Sequence, residues 1–260
     1  MAQLELFDHL PLLLVGALGL IGLRYAFSLR VSEASHRKFF VETIDSLLIA
    51  LILVFFIIRP FVVQAFWIPT GSMKNTLREN DRILVNKFIY RFRTPRRGEV
   101  VVFRAPREAS PDQSKDFVKR VVGLPGDVVE IKGGKLYLNG QPQAEPYLRD
   151  GKPMDYDMKI IDGQVYYVSN LSFDAWRGNV RRGAMVCNKS LRWFRTAKPD
   201  AVPPGKLLVL GDNRNESHDS HVWGFMPMAN LKGKALAVFW PLNRVGSLDQ
   251  AQAYAASTKW

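Results

Sequence analysis

Leu47 to Ile58 is an unbroken run of twelve apolar residues, and a second such stretch, Leu10 to Leu23, precedes it. A helix needs about 17–25 mostly apolar residues to cross a bilayer. The first run reaches that length past Arg24, through Tyr25, Ala26 and Phe27, if Arg24 snorkels toward the surface. The second continues beyond Arg59-Pro60 to Trp67, a residue suited to the membrane interface. We therefore expect two transmembrane helices, at about 9–28 and 45–66. The competing reading is two buried helices of a globular core, but little amphipathic patterning breaks either run. A cleaved export signal needs a basic start; residues 1–9 have no Lys or Arg and carry Glu5 and Asp8.

Charge divides the chain in the same place. Residues 1–66 hold five basic and five acidic side chains, so the net +12 of the 260-residue chain falls entirely on residues 67–260. Arg24, Arg30, Arg37 and Lys38 lie between or at the edge of the apolar runs. The positive-inside rule puts that loop in the cytoplasm and everything after residue 67 outside. A basic outer domain would then face an anionic membrane surface. The single cysteine, Cys187, excludes an internal disulfide or a cysteine-rich metal site.

After residue 67 the pattern is β. Short alternating or β-branched runs recur at Arg82–Phe88, Glu99–Arg104, Phe117–Val122, Val128–Lys132, Lys135–Leu138, Gln164–Ser169, Lys206–Gly211 and Lys234–Trp240. Gly133-Gly134 between two of them is a hairpin signal. Residues 140–205 are rich in Pro, Asp, Arg and aromatics with weak periodicity. The expected fold is thus a mainly β extramembrane domain of antiparallel sheets or a partly open barrel. Its core is 67–139 and 206–260, with an irregular β subdomain inserted at 140–205, and the membrane anchor is 1–66.

Four stretches carry chemistry. Ile68-Pro69-Thr70-Gly71-Ser72-Met73 offers a loop serine, which is a nucleophile only with a base beside it. His9 and His36 fall at membrane segments on the wrong sides. His218 and His221 flank Asp219, so a Ser-His-Asp triad can be drawn, although His and Asp so close on one loop are expected not to face each other. The other base is Lys119, within the strand-like run Phe117–Val122. A free lysine, with a pKa near 10.4, is only about 0.4% neutral at pH 8; burial would lower that pKa and make the amine a workable base. Gly211-Asp212-Asn213-Arg214-Asn215-Glu216-Ser217-His218-Asp219-Ser220 reads as a turn dense in local hydrogen bonds, one of whose hydroxyls could hold the Lys119 amine.

The order and spacing of these stretches resemble those of bacterial type I signal peptidases, the membrane-bound Ser-Lys peptidases. The most specific piece is Lys-Arg-Val-Val-Gly-Leu-Pro-Gly-Asp at 119–127. It is joined by Gly-Asp-Asn-Arg from 211 with Ser217, Asp219-Ser220 and Trp223-Gly224, and by Gly71-Ser72-Met73 with Thr76-Leu77 and Asp81–Lys87. The resemblance covers both apolar runs and most of 60–130 and 206–241.

It implies Ser72 as nucleophile, Lys119 as general base and Ser217 as the hydroxyl orienting the amine. Asp219 would prop up the loop by pairing with Arg120. The Ser72 N–H and the Thr70 hydroxyl would form the oxyanion hole. Phe66, Ile68, Met73 and Val118 would line small-side-chain pockets favouring an Ala-x-Ala pattern before the cut. No metal or organic cofactor is implied. The partners would be signal-peptide-bearing preproteins and membrane lipid, with no nucleic acid, and the location a bacterial inner membrane with the catalytic domain on the periplasmic side. The chain departs from the pattern at Asn75, where Pro is usual and rigidifies the turn, and at Asn215, His221 and Thr70, where Asp, Arg and Ser are common. Two other readings stay open: a specialised Ser-Lys peptidase for a conjugation or pilus subunit, and a non-catalytic membrane-anchored β module.

Overall fold

The computed structural model describes residues 16, 18–26, 34–53, 63–148, 152–169, 181–182, 185–186 and 189–249. The chain divides into two compact units, one formed by Gln3–Ala65 and one containing Phe66–Trp260.

In the first unit, residues 18–26 are helical and a second helix covers Ala34–Ile52. Both turn large apolar side chains outward: Leu18, Ile21, Phe39, Leu47, Ile49 and Ile52 are all exposed. Arg24 does not stand alone, because its Nε donates to Asp45 Oδ1 at 2.6 Å. No helix of the described residues is long and apolar enough to cross a membrane. Residues 9–15, 17, 27–28 and 54–62 of the two expected spans lie outside the described residues, as does Cys187. The end of the second span is corrected. Val63–Trp67 is strand β1, not helix. β-Branched Val63 and aromatic Phe66 and Trp67 suit extended chain, and Phe66 is fully buried in the β core.

The second unit is built from antiparallel strands in two sheets. The first sheet runs β1, β2 (Arg82–Asn86), β14 (Leu231–Trp240), β3 (Val100–Arg104), β4 (Asp116–Gly123), β12 (Lys206–Leu210) and β13 (Met226–Pro227), with β15 (Gly246–Ser247) on β14. The second runs β11 (Met185–Val186), β10 (Arg181–Arg182), β9 (Gln164–Ser169), β8 (Tyr156–Ile161), β5 (Val129–Lys132), β6 (Lys135–Leu138) and β7 (Gln141–Pro142). This second sheet draws strands from both sides of the expected 139/140 boundary, because β8 pairs directly with β5. The stretch read as irregular therefore extends a sheet begun in the core. The β5–β6 turn has positive φ at both Gly133 (57°) and Gly134 (73°), as a two-residue primed turn requires.

Val122, Ile131, Met158 and Leu208 belong to one buried cluster that joins the two sheets. Each such side chain contributes about 1.5–3 kcal/mol through burial.

Strand β4 positions the chemistry. It is buried along nearly all its length, in a continuous run typical of a strand covered on both faces. Its first five residues pair with β3, from Arg104↔Asp116 to Val100↔Arg120. On the other side β12 begins pairing only at Arg120. Residues 116–119 thus have one neighbouring strand among the described residues, and their other edge faces a cleft.

Candidate active site

Ser72 sits in a single 3-10 turn, Gly71–Met73, between β1 and β2. Met73 and Leu77 anchor this loop in the core, at 1% and 0% exposure. The loop after β12 grips it from the other side. The Asn213 backbone N–H donates to Ser72 O at 3.0 Å, and Asn213 Nδ2 donates to Gly71 O at 3.0 Å. Asn75 Nδ2 donates to Asp212 O at 2.9 Å, and Thr76 Oγ1 to Asp212 Oδ2 at 2.5 Å. The turn that Asn75 was expected to loosen is therefore tied down by the Asn75 side chain itself. Gly211 makes the close approach feasible: a Cβ there would run into Ser217 Oγ and the Ser72 carbonyl oxygen.

Lys119 Nζ lies 2.6 Å from Ser72 Oγ. Lys119 is 4% exposed, and burial lowers its pKa from 10.5 to about 8, against the opposing pull of Asp219 and Asp212. Thr70 Oγ1 lies 3.5 Å from Ser72 Oγ. The Ser72 N–H falls in the first turn of its helix, where no acceptor exists within the helix. Ser72, Lys119 and Thr70 all line one cleft of about 900 Å³. Ile68, Met73 and Val118 form an apolar part of its wall. Phe66, expected beside them, does not line the cleft; it lies behind them in the same buried cluster. Among the described residues no group of His, Cys, Asp and Glu is placed to hold a metal.

Two expectations are corrected. Arg120 pairs with Asp212, not Asp219: its Nε donates to Oδ1 at 2.8 Å and its Nη2 to Oδ2 at 2.5 Å. The register Leu210↔Arg120 explains the choice, because Asp212 comes two residues after the end of that pairing. Nη1 donates to Gly98 O at 2.7 Å and Nη2 also reaches Thr76 Oγ1 at 3.0 Å. The guanidinium stacks over the Tyr147 ring, 3.9 Å from its centroid. A wholly buried ion is tolerated only when paired and hydrogen-bonded in this way.

Asp219 instead faces His221, with Nδ1 2.8 Å from Oδ1, contrary to the expectation that neighbours on so short a loop would point apart. Oδ2 accepts from the Gly211 N–H at 2.8 Å. Burial pushes the Asp219 carboxyl up, but His221 and these donors outweigh it and hold the pKa below 3.8. This His-Asp pair does not reach the serine. The hydrogen-bond partners of Ser72 Oγ among the described residues are Lys119 and Thr70, while the His221 ring stacks on Tyr156 at 4.2 Å and meets Tyr167 edge-on at 5.2 Å. His218 does line the cleft, and burial keeps its pKa below 6.5, with Lys119 adding to the effect against Asp219. Ser217 is buried, and its Oγ has no hydrogen-bond partner among the described residues, Lys119 included.

Sequence reasoning gave Asp212, Asn213, Asn75 and Thr76 no role in holding the serine loop. The available signal was the Asp-Asn pair one glycine after the apolar run Leu207–Leu210, where the chain leaves a buried strand and its polar groups need partners.

Residues 40–240 match the model of a family described as signal peptidase, peptidase S26. A signal peptidase I of Leptolyngbya laminosa is 38% identical over 200 residues, covering 76% of this chain and 78% of its own length. Signal peptidase IB of Staphylococcus aureus is 34% identical over 207 residues, covering 80% of this chain and 93% of its own. A crystal structure of a signal peptidase I from Enterococcus faecalis is 28% identical over 55% of this chain and 97% of its own, at a TM-score of 0.34, too low to bear on the fold. With a serine and a buried lysine in contact, and with the family match spanning both the turn and the strand that hold them, the chain belongs to the signal peptidase family, peptidase S26.

Proposed function

We propose that this chain removes N-terminal signal peptides from exported preproteins, with Ser72 as nucleophile and Lys119 as general base. The observation that carries the reading is the 2.6 Å contact between Lys119 Nζ and Ser72 Oγ, made by an amine whose pKa is depressed to about 8. Neutral Lys119 takes the Ser72 proton as Oγ attacks the peptide carbonyl carbon. Charge developing on the carbonyl oxygen meets the Ser72 N–H and the Thr70 hydroxyl. Lys119 then gives its proton to the leaving amine, the C–N bond breaks, and the lysine, neutral again, activates the water that clears the acyl-enzyme. Ser217, a buried hydroxyl without a partner among the described residues, is assigned to steady the amine through this cycle.

The open edge of residues 116–119 suits an extended peptide docking as an added strand. Ile68, Met73 and Val118, backed by Phe66, would then meet its side chains before the cut and favour small ones, in an Ala-x-Ala pattern. Incubating the purified protein with a preprotein tests the whole reading. Cleavage by the wild type that Ser72→Ala loses is expected, whereas a binding module would be indifferent to that change.

The two apolar runs would anchor the chain in a bacterial inner membrane by two helices, with the β unit on the periplasmic side. Exposed Leu47, Ile49 and Ile52 on the helix Ala34–Ile52 support lipid contact. Protease added to intact spheroplasts should cut the β unit and spare the loop around Arg37-Lys38; protection of the β unit would reverse the orientation.

A further inference from the structure

The cleft that holds Ser72 has two chemically different parts. One carries the apolar wall of Ile68, Met73 and Val118. The other includes Lys74 and Arg78, and these two residues also line an adjoining cavity of about 410 Å³ together with Lys152. Lys74, Arg78 and Lys152 are all exposed, and none forms an ion pair among the described residues. The other charges of that cavity are mostly spent. Arg214 pairs with Glu145, and Asp212 with Arg120. Glu216 is the remaining acid there, and it accepts from Asn213 Nδ2 at 2.9 Å. The main cleft adds one further exposed residue of each sign, Glu79 and Lys115, which leaves its charge balance unchanged. In the adjoining cavity three uncommitted cations stand against one acid, so this end is electropositive.

We infer that this basic end is a subsite for acidic side chains on the far side of the scissile bond, in the part of the substrate released as the amine. The inference rests on the reaction proposed above. The residues retained on Ser72 as acyl-enzyme occupy the apolar wall along β4. The leaving segment must depart the other way, past Lys74, two positions after Ser72, and toward Asn213 and Glu216. A carboxylate two to four residues beyond the cut then comes within reach of Lys74, Arg78 and Lys152. Exposed charge pairs are individually weak and fade further with salt. Two or three together amount to about a tenfold gain in kcat/KM at low ionic strength.

Three peptides with the same small-x-small sequence before the cut test this. They carry Asp, Asn or Lys at the second to fourth positions after it. In about 20 mM salt the wild type should cut the Asp peptide about tenfold faster, in kcat/KM, than the Lys peptide, with Asn between. The ratio should shrink toward one in about 0.5 M salt. In the triple variant Lys74→Gln, Arg78→Gln, Lys152→Gln, verified as folded by its thermal transition, the low-salt ratio should also fall close to one. Moving the Asp residues upstream of the cut should abolish the preference. A wild type that cuts all three peptides equally, or a triple variant that keeps the full ratio, overturns the subsite while leaving the peptidase intact. Failure to cut any of the three overturns the proposed reaction, and the subsite with it.

Discussion

Lys119 Nζ and Ser72 Oγ meet at 2.6 Å in a place where the lysine side chain is all but closed off from water. That burial favours the neutral amine, the form that the proposed base requires. With a pKa of about 8, the neutral form grows as pH rises through 8. Activity should therefore increase from about pH 6 to about pH 9 with a midpoint near 8. Lys119→Arg should be nearly inactive at every pH, because guanidinium does not give up its proton in this range. A flat profile across that range, or substantial cleavage by Lys119→Arg, would remove Lys119 from the reaction.

The same burial has a cost for the fold. A folded pKa of about 8 against 10.5 for free lysine means that the folded state disfavours the ammonium by about 3 kcal/mol. Below pH 8 the amine is protonated in both states and the whole penalty is present. Between pH 8 and 10.5 the folded state has already lost its proton while the unfolded state retains one, so stability rises with pH across that window. Lys119→Met, which keeps the stem and drops the charge, should be inactive yet more stable than wild type by about 1–3 kcal/mol at about pH 6. The difference should narrow toward about pH 10. Denaturant unfolding at the two pH values measures it.

Asp212 is a tie between the two loops rather than a participant in chemistry. It neutralises buried Arg120 and accepts from Thr76 and, through its carbonyl, from Asn75. Asp212→Ala leaves a guanidinium buried without its counter-charge, a loss of about 3–5 kcal/mol. Chemical denaturation should show that loss. Activity lost through unfolding should return at lower temperature, since the serine and lysine remain.

His221 stands in the same relation to Asp219. Its imidazole supplies a donor to a carboxylate that is 0% exposed. His221→Leu should destabilise by about 1–3 kcal/mol through loss of the imidazole donor, leaving Oδ1 of the buried carboxylate only the backbone N–H of residue 221, whereas His221→Arg, which keeps a donor, should retain most of that stability. His218→Ala should keep substantial activity, because neither imidazole carries a proton in the Ser-Lys reaction. An inactive but well-folded His218→Ala would revive a histidine base.

Much of this was legible from the residues alone because strands with a buried face repeat every second residue. Arg82–Asn86 announces itself by that rule, while Val100–Arg104 and Lys206–Leu210 show as short continuous apolar runs, as strands covered on both faces do. Lys119 could be named because a cation inside an apolar strand demands an explanation. Strand β8 was missed although Tyr-Asp-Met-Lys-Ile alternates and Asp162-Gly163 turns it into β9, because the polar, Pro-containing stretches further out on either side hid one short strand. The partner of Arg120 was missed for a different reason. Asp212 and Asp219 lie on the same loop, and only the β4–β12 register decides between them. The grip of Asn213 on Ser72 is likewise a long-range contact with no periodic trace.

Thr70 carries the remaining prediction. Its Oγ1 lies 3.5 Å from Ser72 Oγ, and its backbone is extended, with φ −132° and ψ 150°, at the entrance to the 3-10 turn. Its side chain does not cap that turn, so the hydroxyl is not engaged in holding the helix end. It is therefore available to the carbonyl oxygen that would become negative in the proposed attack by Ser72. Ser at this position preserves the hydroxyl, and Thr70→Ser should keep most activity. Valine preserves the branched shape and the extended backbone but offers no proton. One lost donor to a developing oxyanion raises the barrier by about 2.7–4 kcal/mol, or two to three orders of magnitude in kcat. The loss should fall on kcat, with KM little changed, because the negative oxygen exists only in the transition state and not in bound substrate. Thr70→Val cleaving at the wild-type rate would reduce Thr70 to a turn residue and leave the Ser72 N–H as the sole assigned donor.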